Sequence, residues 1–312
     1  MAYDKSIDIA KQAGEPVTPE LLRAWPLPQP DEAGDKDSRG RVLIVGGSPE
    51  MPGAMILAAT AALRSGAGKV QIAICRSIAP HVAVTVPEAR VFALPETRAG
   101  GIDPSAAAEL AERANQAEAT LIGPGMVDEA GTRALLEEFL PQLDQIVLVL
   151  DAIALSCGMH MKMALAGCAA DRILTPHAGE MATMLGLDKA AVMTDAPGVA
   201  RQAAARLGAV IALKGGTTYI AAPDGALYQY PDGDVGLATS GSGDTLAGIV
   251  AGLAARGVSP LQATIWGVYL HGAAGNQLAK RMGRLGYLAR ELLDEVPRVM
   301  NHFTEIADAS VD

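Results

Sequence analysis

Apolar residues along the chain fall into short continuous runs separated by longer stretches in which they recur at helical spacing. Arg41–Val45 reads as a β-strand ending in Gly46-Gly47-Ser48, and Gly53–Ser65 as an Ala/Leu-rich helix. Val70–Ile74, Thr120–Ile122, Ile146–Leu150, Arg172–Leu174 and Val210–Leu213 read as further strands. Pro104–Gln116, Glu129–Phe139 and Ala196–Leu207 read as helices between them. Strand runs alternating with helices of ten or more residues predict βαβ units and a mostly parallel central sheet flanked by helices, an α/β fold. Tyr219–Ala221 and Leu227–Tyr230, around Pro223-Asp224-Gly225, read as a hairpin that gives the sheet an antiparallel edge. Beyond Gly243 the pattern is helical almost throughout.

The first forty residues have a different texture. Thr18 followed by Pro19 is an N-cap signal for a short helix near 18–24, and Pro26, Pro28 and Pro30 stop it. Residues 1–40 are therefore read as an extension and linker, and 41–312 as one domain. No internal repeat or low-complexity tract interrupts it.

Composition narrows the function classes. Half of the 312 residues are hydrophobic but only 4% are aromatic, so Ala, Val, Leu, Ile and Gly build the interior. Small residues suit helices packed closely on a parallel sheet. A formal net charge of -10 argues against nucleic acid as a partner, since phosphate backbones call for a cationic surface. The N-terminus lacks the apolar run of a signal peptide, and no stretch has membrane-spanning length. Cys75, Cys157 and Cys168 have neither disulfide nor zinc spacing. A cytoplasmic protein is expected.

Several glycine clusters sit at predicted strand ends, where ligands of open parallel sheets gather. In Gly236–Gly248 a Gly/Ser loop runs directly into an Ala/Leu helix. The loop Gly241, Ser242, Gly243 thus aims backbone N–H groups and the positive end of a helix dipole at one place, and Asp244 stands in the first turn. A carboxylate beside a bound phosphate can take a proton from an attacking hydroxyl. Taken alone, the segment could equally be a capped helix start. Lys214, Gly215, Gly216, Thr217 and Thr218 follow a strand and offer donors to a nucleotide phosphate, or else form a tight turn. They are not a Walker loop, which the chain lacks, and Gly46-Gly47-Ser48 does not open a dinucleotide fingerprint. His177 in Thr175–Met181 is either a functional group or a helix cap. Gly125 in Ile122–Met126 either admits a ligand to the backbone or makes a plain turn.

The succession GRVLIVGGS, PGAMILAATAALRSGAGKV, IGPGM, VLDAIAL, TPHAGEM, ALKGGTT and GLATSGSGDTLAGIVAGL closely resembles the ADP/ATP-dependent NAD(P)H-hydrate dehydratases, a carbohydrate kinase-like branch of the ribokinase-like superfamily. The likeness runs from about Thr18 to Leu293. It implies a ribokinase-like three-layer fold and an enzyme that repairs NADH or NADPH hydrated at C6 of the nicotinamide ring. By motif, Ala54, Gly125, His177 and Asp244 should contact that hydrate. Lys214 through Thr218 and Gly243 should bind the adenine nucleotide, ADP or ATP. Asp244 falls where the superfamily places its catalytic base, with Gly241, Ser242 and Gly243 as the anion hole. The resemblance also implies Mg²⁺, to which no ligand is assigned. The apolar helices suggest self-association into a homo-oligomer, a tetramer being one form it could take. The epimerase domain of bifunctional members would here be a separate protein.

The resemblance also explains why a kinase-like site would serve a dehydratase. Hydroxide is a poor leaving group and phosphate a good one, so phosphorylating the C6 hydroxyl lets the ring nitrogen expel it. Three positions depart from the family pattern. LDADAL reads Leu150–Leu155 with Ile153 for the second carboxylate. The loop opening with GN reads Gly233-Asp234-Val235-Gly236, and GGSGD has Ser240 for its first glycine. Two rival functions follow: a ribokinase-like kinase of a small alcohol such as hydroxymethylpyrimidine, and a nucleotide-binding homologue without catalysis.

Overall fold

The structure, a computed structural model, describes residues 14–29, 35–157, 165 and 167–308. The chain opens with β1 (Glu15–Pro16) and α1 (Pro19–Ala24). It continues through β2 (Arg41–Gly46), α2 (Pro52–Arg64), β3 (Lys69–Cys75), α3 (Ala79–Thr85), β4 (Arg90–Leu94) and α4 (Ala107–Ala114). β5 (Ala119–Ile122), α5 (Glu129–Phe139), β6 (Val147–Leu150), α6 (Ile153–Ser156) and β7 (Asp171–Leu174) follow. Then come α7 (Ala178–Leu185), α8 (Lys189–Thr194), α9 (Ala196–Leu207), β8 (Val210–Leu213), β9 (Thr218–Ala221) and β10 (Leu227–Tyr230). Three helices close the chain: α10 (Ser242–Ala255), α11 (Pro260–Met282) and α12 (Ala289–Asp308).

All ten strands join one sheet in the order β1-β10-β9-β8-β7-β6-β5-β2-β3-β4. Every pairing from β4 to β8 is parallel, and β9 runs antiparallel to both β8 and β10. The expected hairpin is therefore present, and Glu15–Pro16 adds one more short strand outside it, parallel to β10. β5 and β8 are buried at every position, because helices cover both faces and each side chain meets a core whichever way it points. The two-residue alternation divides them. Leu43, Leu148 and Leu150 enter one core layer with α4, α5, α7 and α9, while Ile44 and Val149 enter the other with α2, α10 and α11.

The sequence pattern did not predict β1, α3, β4, α6 or α8. β4 lies at the far edge with only Phe92 and Leu94 buried, although Val91–Leu94 is a continuous apolar run. α3 buries only Ala79 and Val82. The segment Pro104–Gln116 starts as a 3₁₀ turn capped by Asp103 before α4 takes over.

Two features of the second layer position the site. Gly248 and Gly252 of α10 face α2 so closely that an added Cβ would lie 2.3 Å from the Ala58 carbonyl oxygen and 2.2 Å from Ser65 Oγ. The two helices thus pack almost backbone to backbone. Residues 14–29 lie against the same layer. Thr18 caps α1 through a bond from the Leu21 amide (3.3 Å), and Val17, Leu22 and Leu27 are buried. The Trp25 carbonyl accepts from Gln262 Nε2 (3.1 Å) and Trp266 Nε1 (2.8 Å), and Arg256 donates to Pro28 O (2.8 Å).

Candidate active site

β6, β7 and β8 are parallel neighbours, so the residues just past their ends lie side by side. They are Asp151, Thr175 and Lys214. Thr175 Oγ1 donates to Asp151 Oδ1 at 2.7 Å, and Lys214 Nζ reaches the same oxygen at 2.8 Å. Asp151 is buried, a position a carboxylate holds only when it is paired and hydrogen-bonded. Burial on its own would lower the Lys214 pKa. The carboxylates of Asp151, Glu180 and Asp244 outweigh it and raise the value, keeping the ammonium charged. Burial raises the Glu180 pKa, opposed by Lys214.

Backbone geometry aims these groups. Ala152 is the one non-glycine residue with positive φ among the described residues, at φ 51° and ψ -130°. L side chains adopt that region only at a cost, and such strain gathers at functional sites. Gly123, on the adjacent strand end, has φ 124°, and a Cβ there would lie 1.9 Å from the Asp151 carbonyl oxygen. Only glycine lets the two strand ends approach this closely.

The Gly241–Gly243 loop faces this cluster. Gly241 is the N-cap of α10 in the left-handed region (φ 85°), and a Cβ there would strike Leu57 of α2 at 2.4 Å. Having no side chain, it cannot cap the helix. Thr245 N is the first α10 amide to bond back into the helix, to Gly241 O at 3.0 Å, so the Gly243 and Asp244 amides have no partner within it. That leaves an anion-accepting helix start. A Cβ built on Gly243 would lie 3.5 Å from Lys214 Nζ and 3.9 Å from Asp151 Oδ2, so loop and strand ends form one site. Burial pushes the Asp244 pKa up to about 6, the Asp151 charge adding to the shift and Lys214 opposing it. A carboxylate with that pKa is ionised near neutral pH and basic enough to take a proton.

A cavity of about 650 Å³ opens beside the loop. Lys214, Gly215, Gly216, Thr218, Ser242, Gly243 and His177 all line it. Tyr230, Leu237, Leu246 and Val268 give it an apolar end, and Asp234, Val235 and Arg284 stand among its remaining walls. Ala54 and Gly125 meet elsewhere: a Cβ on Gly125 (φ 68°) would lie 3.1 Å from Ala54 Cβ and 2.5 Å from Met51 O. Thr217, Gly241 and Asp244 do not line the cavity. Gly241 touches Leu57 of α2, the helix that carries Ala54 in its first turn.

His177 is a helix cap as well as a cavity residue. Its Nδ1 accepts from the Gly179 and Glu180 amides at 3.0 and 3.1 Å, and its own amide donates to Glu180 Oε2 at 2.7 Å. The capping reading and the ligand reading of His177 are compatible, since the residue also lines the cavity, though its Nε2 lies 3.5 Å from Glu180 Oε1. Sequence reasoning had no signal for His271, which lies mid-helix with its Nε2 2.9 Å from Ser242 Oγ. Thr175 and Glu180 lay inside a recognised motif without a role.

The three departures have distinct settings. Ile153 packs against the core beneath the site. Ser240 is exposed. In the Gly233–Gly236 loop, Asp234 Oδ1 accepts from the Gly236 amide (2.8 Å) and Oδ2 from Arg284 Nε (3.1 Å), while Val235 is exposed. Among the described residues, no group of three or more His, Cys, Asp or Glu side chains is arranged to hold a metal ion. No helix among them is long and apolar enough to cross a membrane.

Comparison with known proteins accounts for this arrangement. Residues 42–298 match the family model described as NAD(P)H-hydrate dehydratase. The ADP-dependent (S)-NAD(P)H-hydrate dehydratase of Xanthomonas campestris is 48% identical over 287 residues, covering 91% of this chain and 96% of that protein. A bifunctional NAD(P)H-hydrate repair enzyme of Moorella thermoacetica is 42% identical, covering 93% of this chain and 55% of its own longer one. Among solved structures, the ADP/ATP-dependent NAD(P)H-hydrate dehydratase of Bacillus subtilis, co-crystallised with ATP/Mg²⁺, superposes with a TM-score of 0.79. It is 32% identical, covering 93% of this chain and 99% of that one. The three layers are the ribokinase-like arrangement. By strand order, strand-end cluster, glycine loop and sequence together, this chain belongs to the NAD(P)H-hydrate dehydratase family.

Proposed function

We propose that this chain uses ADP or ATP to dehydrate the S form of hydrated NADH or NADPH, returning the reduced dinucleotide. The observation that carries the reading is Asp244. It is a partly buried carboxylate with a pKa near 6 in the first turn of the helix whose open amides face Lys214. The nucleotide occupies the 650 Å³ cavity, its phosphates on Gly243 and the Lys214–Thr218 turn and its base toward Tyr230, Leu246 and Val268. The hydrated ring approaches from the side of Ala54 and Gly125, with Asp244 and His177 completing its surroundings.

Asp244 accepts the C6 hydroxyl proton as that oxygen attacks the terminal phosphorus, and the shortened nucleotide leaves. Amides of the Gly241–Gly243 loop stabilise charge on the transferring group. The ring nitrogen lone pair then expels phosphate from C6, and loss of the C5 proton restores the ring double bond. With ADP, the hydrate becomes NAD(P)H, AMP and phosphate. Mg²⁺ when bound neutralises nucleotide oxygens. It takes one or two carboxylates plus phosphates rather than a protein cage. Asp151, whose Oδ1 carries both of its contacts and whose Oδ2 is turned toward the loop, is the group that would hold it, together with nucleotide phosphates.

The test supplies hydrated NADH with ADP or ATP and Mg²⁺ and follows recovery of reduced-nicotinamide absorbance. Recovery with either donor is expected. No recovery in protein shown to bind nucleotide would overturn the proposal, and a stable phosphorylated small alcohol would favour a kinase. A cytoplasmic setting and a separate epimerase belong to the same proposal. So does self-association, which exposed Met282, Leu285 and Leu288 support and sedimentation velocity would read.

A further inference from the structure

Ser242 is the first residue of α10, where a serine hydroxyl would ordinarily bond a nearby backbone amide. Here α10 has no side-chain cap bond, and Ser242 Oγ instead meets His271 Nε2 at 2.9 Å. Both side chains line the nucleotide cavity. His271 is held firmly, because the next residue, Gly272, packs so closely on Tyr230 of β10 that a Cβ would lie 2.1 Å from its ring. That contact fixes α11 against the sheet and the imidazole against the anion loop.

A hydroxyl has one proton, and its direction decides what the loop presents to an anion. If Nε2 is bare, Ser242 donates its proton to the imidazole and turns oxygen lone pairs toward the cavity, which repels phosphate. If Nε2 carries hydrogen, it donates to Oγ, and the serine proton is free to point at a phosphate oxygen. We propose that His271 is a positioning residue that acts through Ser242, donating from Nε2 so that the Ser242 hydroxyl serves as a phosphate donor beside the loop amides. The inference rests on the nucleotide reading of this cavity. Burial pushes the His271 pKa down to about 4. The ring is thus neutral at working pH, and its contribution is the placement of one proton rather than a charge.

The test measures ADP affinity calorimetrically, without the hydrated dinucleotide, in wild type, Ser242→Ala, His271→Leu, His271→Gln and the double variant His271→Leu/Ser242→Ala. A hydrogen bond to a charged group predicts a loss of about tenfold or somewhat more for Ser242→Ala. His271→Leu, which leaves the hydroxyl its proton but not its orientation, should lose less, and the double variant no more than Ser242→Ala alone, as expected for residues acting in series. His271→Gln, whose amide can place a donor near Nε2, should recover most of the affinity. In wild type, nitrogen NMR of the imidazole should show Nε2 protonated and Nδ1 bare once ADP is bound. Multiplied losses in the double variant, or a bare Nε2 with ADP present, would overturn the proposal and leave the dehydratase reading intact. If His271→Leu fails to fold, the glutamine variant and the wild-type spectrum still decide. Wild-type protein that binds no ADP would overturn the function and this inference together.

Discussion

Replacing Asp244 by asparagine separates what the buried carboxylate costs the fold from what it contributes to the reaction. The carboxyl stands at about 6 in the folded protein against 3.8 for a free side chain, so the fold resists its ionisation. The sign follows from proton linkage. The folded state binds the Asp244 proton more tightly than the unfolded chain, so stability is intact below pH 3.8 and lost as pH rises through 6. Two pKa units at 1.36 kcal/mol each put the cost of the ionised group at about 3 kcal/mol above pH 7. Asp244→Asn removes the charge and with it that cost. For a chain of this size the unfolding entropy near the midpoint is about 0.6 kcal/mol/K. The variant should therefore melt about 5 °C above wild type at pH 8, and the gap should shrink to about half by pH 5. Turnover should fall by at least about a hundredfold, the share a positioned base supplies. Wild-type kcat/KM should drop about tenfold per pH unit below 6 for the same reason. Scanning calorimetry from pH 5 to 8 beside the absorbance assay reads all of this. A gap that does not change with pH, or a variant less stable than wild type at pH 8, would refute the reasoning.

Asp151→Asn removes the charge paired with Lys214 at 2.8 Å and should cost up to about 3–5 kcal/mol in denaturant unfolding, the usual penalty for breaking a buried pair. It also removes the like charge beside Asp244, so in protein that still folds the acid limb of the pH–rate profile should move to lower pH. Ala152→Gly relieves the positive-φ strain and should stabilise the fold by about 1 kcal/mol, seen as a rise of about 2 °C in the melting temperature. Gly248→Ala would drive a methyl to 2.3 Å from the Ala58 carbonyl oxygen, and a loss of about 1–3 kcal/mol together with weaker ADP binding is expected from melting and calorimetry.

The sheet was legible because its central strands are buried on both faces, which leaves apolar runs such as Val210–Leu213 that need no partner to be seen. β4 was missed although Val91–Leu94 is an apolar run as long as Val210–Leu213; as an edge strand it buries only Phe92 and Leu94. Helix starts were legible where a capping residue sits in the sequence, as at Thr18. At the candidate site, glycine clusters at strand ends marked the backbone that gathers around Asp151 and Lys214. The side chains that connect them were not visible. Lys214 and Asp151 are 63 residues apart, and Ser242 and His271 are 29 apart on different helices. Such pairs exist only once strand order and helix packing are known. His271 in particular follows an apolar helical stretch, where periodicity cannot distinguish a core residue from one facing a cavity.

The contact between α2 and α10 bears on how far apart the two reacting partners sit. α2 carries Ala54 in its first turn and α10 begins with the Gly241–Gly243 loop, so in the proposed reaction each helix would deliver one reactant. With Gly248 and Gly252 lying almost on the α2 backbone, the two helices have no slack left to close. In the proposed reaction their separation would act as a fixed ruler between hydroxyl and phosphorus, set by the absence of two methyl groups rather than by any charge. Widening it requires only a larger side chain, and narrowing it is sterically barred. Adjustment to a differently shaped acceptor is therefore left to the loops at the ends of the ruler, Gly46–Pro52 and Gly233–Gly241, and not to the helices that define its length.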